Sequence, residues 1–171
     1  MKQLRLIAAP AFAVFALLLF GAAEPALAVK QTGGEYNTLF AGLGAKGYDV
    51  VSYFTEGKPD QGSDRFTHEF GGVKWQFVNK EHRDLFAANP QKYAPQYGGF
   101  CSWGVANGKL FEVDPVNGWT IVDGKLYMNF NADLNSTFAK DAEGFITKAN
   151  NNWPGLTTSH GRRNAEARSP R

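Results

Sequence analysis

Cysteine is nearly absent from this chain: Cys101 is the only one in 171 residues. A single thiol excludes an internal disulfide framework and any multi-cysteine zinc site within one chain. Histidine is scarce too, with three residues, His68, His82 and His160. Charge of one sign is lacking, since 18 basic residues face 16 acidic ones. That balance excludes a disordered polyelectrolyte and gives no reason to expect a nucleic-acid partner. No internal repeat and no low-complexity linker divides the chain. No Gly-x-Ser-x-Gly, His-Glu-x-x-His or phosphate-cradling loop occurs, so the common hydrolase, zinc-protease and nucleotide signatures are missing.

One long apolar run is present, and it lies at the start. Lys2 and Arg5 precede an apolar stretch from Leu6 to Ala23, and Ala26-Leu27-Ala28 has the small-x-small spacing read by a signal peptidase. Residues 1–28 are therefore expected to be a cleaved signal peptide, with the mature protein exported to a periplasm or secreted. An uncleaved anchor is the competing interpretation. Removing 28 of 171 residues leaves 143, with no second run of spanning length. Residues 157–171 carry four arginines and no apolar period, which predicts a disordered basic tail. Between them, residues 29–156 hold 12 basic and 14 acidic groups and form the expected single domain.

Within that domain the strongest pattern is a hairpin. Residues 65–70 and 73–77 alternate around Gly71-Gly72, and the register would pair Phe70 with Val73, His68 with Trp75 and Phe66 with Phe77. A second hairpin is predicted from Trp119–Val122 and Lys125–Phe130 around Asp123-Gly124, with Trp119, Ile121, Leu126, Met128 and Phe130 on its apolar face. Val50–Phe54 reads as a short buried strand. Asn79 can cap a helix over Lys80–Ala88 whose inner face would be Leu85 and Phe86, ended by Asn89-Pro90. Residues 100–107 have no decisive period; a short helix beginning just after Gly99 is expected. A last helix should start near Asp133 and stop before Pro154. The sum is an α+β fold: a small single domain with two β-hairpins packed against two or three short helices.

Few residues could carry chemistry. His68 falls on the aromatic face opposite Trp75, either as a hydrogen-bonded core histidine or as a ligand. Cys101 follows Gly98-Gly99. In the first turn of a helix its thiol would be biased toward thiolate, whereas most free cysteines are small buried hydrophobes. His82 is expected on the outer part of its helix, solvated near Glu81 and Asp84, and His160 lies in the tail. Asp114 and Asp123 read as turn residues, before Pro115 and Gly124.

Asp49-Val50-Val51-Ser52-Tyr53-Phe54, then Phe77 and Phe86-Ala87-Ala88-Asn89-Pro90-Gln91-Lys92-Tyr93, resemble a YHS domain, over about residues 47–97. Tyr97-Gly98-Gly99-Phe100-Cys101 and Val122–Tyr127 extend the likeness to exported YHS-domain proteins. The resemblance implies a small hairpin-plus-helix module, of a kind linked elsewhere to metal ions. Where metal-linked members carry three cysteines, this chain has Ser52, Val78 and His82, so that thiolate site is missing and only His82 could ligate. The resulting expectation is an exported binding module for a metal ion, by donor type a transition-metal ion, or for a small molecule. Its metal ligands would be Cys101 and His68, with His82 third. Two alternatives stand beside it: a Cys101-dependent thiol redox or transfer enzyme, and a ligand-free protein-interaction domain.

Overall fold

A computed structural model describes residues 36–38 and 42–168, with residues 159–168 as backbone alone. Residues 1–28, expected to be a signal peptide, and the side chain of His160 lie outside the described residues. The fold is α+β: among the described residues there are two antiparallel hairpins, six α-helices and two short 3-10 turns, more than the two or three helices expected. No helix among the described residues is long and apolar enough to cross a membrane.

Asp49 governs the entry to the domain. Its carboxylate accepts the Val51 amide two residues on at 2.8 Å, and the Ser52 hydroxyl donates back to the Asp49 carbonyl at 2.7 Å. These local bonds compete with strand pairing. Val50–Phe54, expected as a strand, is instead a turn leading into helix α1, Ser52–Thr55. The apolar run still enters the core: Val50, Val51 and Tyr53 are buried, and the Tyr53 hydroxyl donates to the Pro115 carbonyl at 2.8 Å.

The first hairpin joins β1, Ser63–Phe70, to β2, Val73–Phe77. Gly71 and Gly72 are both left-handed, as a two-residue turn matched to strand twist requires. His68 opposes Trp75 and Phe70 opposes Val73, as the alternation predicts. Further along the register shifts, and Ser63 rather than Phe66 lies opposite Phe77. Phe66 still packs, partly buried, against the core. Behind the hairpin, the backbone of Gly44 lies on the Trp75 indole so closely that an added Cβ would come within 2.5 Å of the ring.

Helix α2, Lys80–Ala88, has the predicted bounds, and Asn79 caps it by accepting the His82 amide at 2.7 Å. Asn89 ends it and caps a further turn, α3, Pro90–Tyr93. The inner face of α2 differs from the expectation. Phe86 is fully buried, but Leu85 is 43% exposed, and the second inward residue is His82. Positions 82 and 86 are four apart and share a helix face, so the buried phenylalanine carries the histidine in with it.

Helix α4, Ser102–Ala106, begins just after Gly99, with Cys101 at its N-cap rather than in its first turn. The second hairpin pairs β3, Trp119–Val122, with β4, Lys125–Met128, in the predicted register, and its turn residues Asp123 and Gly124 are both left-handed. Tyr127, on the opposite face to Leu126 and Met128, is buried as well, so β4 is covered on both sides. Phe130, expected on the apolar face, lies beyond the strand and is 52% exposed.

The single final helix expected from Asp133 is two helices. α5, Ala132–Lys140, is capped by Asn131, and α6 runs Ala142–Arg168. Asp141 separates them and restarts the helix by accepting the Gly144 amide at 3.1 Å. Pro154 sits inside α6 rather than beyond it, so the segment read as a tail begins within a helix. Hydroxyls of Thr157 and Thr158 donate to the Pro154 carbonyl at 3.1 and 2.9 Å. α6 covers a second apolar cluster of Tyr97, Phe100, Val105, Tyr127 and Phe138, beside the first one around Trp75, Phe77 and Phe86.

Candidate functional site

Two of the residues able to carry chemistry, His82 and Cys101, lie in two separate buried polar centres, and neither centre is the combination expected from sequence.

The first is built on Asp49. Its side chain is fully buried, which is costly for a carboxylate unless hydrogen bonds replace water. Here they do. One oxygen takes the Val51 amide, and the other takes the Val78 amide at 3.0 Å and His82 Nδ1 at 2.7 Å. A carboxylate only accepts, so Nδ1 is the protonated nitrogen. Ser52, Val78 and His82 thus all bond to Asp49: a hydroxyl to its carbonyl, an amide and an imidazole to its carboxylate.

His82 is accordingly buried, at 6% exposure, and not the solvated helix residue expected from its acidic neighbours. Lys80 and Arg83, not His82, pair with Asp84. With Nδ1 fixed, His82 Nε2 points the other way, toward the end of α1. It lies 3.3 Å from the Thr55 hydroxyl and 3.9 Å from a carboxylate oxygen of Glu56. Thr55 and Glu56 are both exposed. The imidazole therefore links a buried carboxylate to groups at the surface. Such an arrangement fixes the tautomer and ring plane, and it leaves one nitrogen to accept a proton or donate electrons to a ligand.

The second centre surrounds Cys101. The thiol is fully buried; Sγ accepts the Gly104 amide at 3.4 Å and lies 3.8 Å from Asn129 Oδ1. Burial pushes the thiol above the ordinary cysteine range, outweighing the amides of Gly104, Phe130 and Trp103, which pull it down. The helix-start position does not yield an activated thiolate, because loss of water wins over a five-residue helix. Asn129 also accepts the Trp103 amide at 3.1 Å and donates to Asn135 at 3.0 Å, which donates on to the Trp119 carbonyl at 2.8 Å. Among the described residues, the neighbouring Ser102 hydroxyl is buried without a hydrogen-bond partner.

His68 belongs to neither centre. It is half-buried, and its imidazole packs edge-on to the Phe86 ring at 5.9 Å. Among the described residues, no group of three or more His, Cys, Asp or Glu side chains is arranged to hold a metal ion. Cys101, His68 and His82 therefore do not make the three-ligand site the sequence suggested. What sequence reasoning missed is Asp49 and Thr55. A usable signal was present: the four-residue step from Phe86 back to His82, and an Asp placed before a short helix with Ser three residues on.

Compared with known proteins, the chain matches no protein-family model, and neither a curated protein nor a solved structure shows a significant match to it.

Proposed function

We propose that this chain is an exported binding module of the YHS type whose ligand engages His82 Nε2, with a transition-metal ion as the first ligand class and a small molecule as the second. The observation that carries the reading is the Asp49–His82 hydrogen bond of 2.7 Å. A buried carboxylate that holds an imidazole at Nδ1 is the usual outer support of a histidine ligand, fixing its tautomer and ring plane so that the other nitrogen is presented to the ligand. Glu56 is near enough to add a carboxylate oxygen after a small side-chain movement. Imidazole with one carboxylate suits zinc, nickel, copper(II) or ferrous iron better than a soft monovalent ion, and water or a partner would complete the shell.

The thiol-enzyme alternative draws less support, because the Cys101 thiol is buried and its ionisation is disfavoured. Thermal melting of the purified protein with each of these ions tests the proposal. At a hundredfold excess over the dissociation constant, native-state binding adds about 2.7 kcal/mol. A shift of several degrees with one ion, weakened in Glu56→Gln and lost in His82→Ala, is the expected result. No shift with any ion, together with no small-molecule hit, would favour a ligand-free interaction domain.

A further inference from the structure

His82 Nε2 faces a hydroxyl as well as a carboxylate, and the hydroxyl belongs to an exposed residue, Thr55. Asp49 Oδ2 to His82 Nδ1 is 2.7 Å, and His82 Nε2 to Thr55 Oγ1 is 3.3 Å. The chain thus runs carboxylate, imidazole, hydroxyl, from the interior to the surface. The Thr55 hydroxyl has one proton and two acceptors within reach, His82 Nε2 and the Val51 carbonyl at 3.2 Å. In the first arrangement the imidazole is poised to remove that proton, which is the geometry that activates a hydroxyl nucleophile. Two residues on, Gly57 is left-handed and exposed, and a Cβ added there would meet open space.

We propose that Thr55, His82 and Asp49 make Thr55 an acyl-accepting nucleophile, so that the protein cleaves small activated esters through an acyl-Thr55 intermediate. The Thr55 oxygen forms a bond to the ester carbonyl carbon while its proton passes to His82 Nε2. The tetrahedral adduct collapses, the ester C–O bond breaks, and the leaving alkoxide or phenoxide takes the proton from Nε2. Water then attacks the acyl group, again giving a proton to Nε2, which returns it to the Thr55 oxygen as the carboxylic acid departs. Thr55 and His82 are the catalytic residues. Asp49 is a positioning residue that holds the Nδ1–H tautomer.

This reading uses the same histidine as the metal proposal but stands without any metal. The test is incubation of the full chain with p-nitrophenyl acetate in the presence of a chelator, followed by peptide mass mapping. The expected result is a burst of p-nitrophenolate close to one per chain followed by slower continued release, with acetyl on Thr55 in the burst. Thr55→Val abolishes that adduct and Thr55→Ser keeps it; both changes are at an exposed site, so folding is preserved. His82→Gln slows acylation by about a hundredfold or more. Asp49→Asn lowers the maximal rate of Thr55 acylation without changing the ester concentration needed for half-saturation, a split that a purely structural role would not produce. Acetylation confined to lysines, or adduct formation unchanged in Thr55→Val, overturns the proposal. Metal-induced melting shifts in Thr55→Val stay intact if only the ester activity is wrong, so the two readings fail separately.

Discussion

The two buried polar centres are made from similar materials and do different things. Each has one side chain at its hub that accepts backbone amides: Asp49 takes those of Val51 and Val78, and Asn129 takes that of Trp103. Each touches one residue of reactive type, His82 or Cys101. At Asp49 the reactive group has a second nitrogen left over, and it faces exposed residues. At Asn129 the reactive group is a sulfur with a single proton, enclosed on every side. A buried polar network can therefore serve two ends. The neutral one ties α4 to the β4 strand end and to α5. The charged one ties α1 to α2 and also presents an atom outward. Reactivity follows the open end, not the residue type.

The largest expected effect separates the networks by the charge at their hubs. Asp49→Ala strands the Val78 amide and the His82 imidazole, and it should destabilise by about 3–5 kcal/mol. Asn129→Ala strands the Trp103 amide and part of Asn135, and about 2–3 kcal/mol is expected. Urea unfolding of both variants measures the difference. If Asn129→Ala costs as much as Asp49→Ala, the two centres are equivalent as structure, and charge adds nothing to the first.

A smaller effect isolates position from stability. Asn79 caps α2 by accepting the His82 amide, and Asn131 caps α5 by accepting the Leu134 amide at 2.8 Å. Replacing either by alanine should cost about 1 kcal/mol. Only Asn79→Ala should also weaken ligand binding or acylation, because it loosens the turn that carries His82. Equal functional loss in both variants would mean that global stability, not the placement of His82, controls the site.

How much of this could be seen in the amino acids depends on the range of the forces involved. Both hairpins were legible because alternation and a two-residue turn are local, and Gly71-Gly72 and Asp123-Gly124 leave little choice of register nearby. The α2 bounds were legible for the same reason, through Asn79 and Asn89. Val50–Phe54 misled because apolar content records burial, not conformation, and Asp49 with Ser52 decided the conformation through side-chain bonds to the backbone. His82 misled because its sequence neighbours are charged, whereas its neighbours in space are Asp49, 33 residues earlier, and Thr55, 27 residues earlier. Pro154 was read as a stop, yet the Trp153 ring beside it packs on Tyr97 and Phe100 and helps hold the helix across the break. Long-range pairing made the site, so composition and spacing alone pointed to Cys101 and His68 instead.

The smallest effect concerns the closed centre and is read through pH. The Cys101 thiol is held above its ordinary range by burial, so the native state keeps its proton at pH values where the unfolded chain gives it up. An unfolded cysteine ionises near ~8.5. Below that pH both states are protonated and the group is neutral in its effect on slope. Above it the unfolded state binds fewer protons, and stability falls as pH rises toward the native thiol's own ionisation. Between pH 7 and about 9.5, before tyrosine ionisation near 10 begins, the urea midpoint should therefore decline more in the wild type than in Cys101→Ser. The serine keeps an oxygen at the α4 N-cap, so the cap is preserved while the titration is removed. In parallel, a thiol reagent should label the wild type only as urea unfolds it. Equal pH slopes in the two proteins, or fast labelling of the native state, would show Cys101 to be open to solvent and ionisable, erasing the contrast with His82.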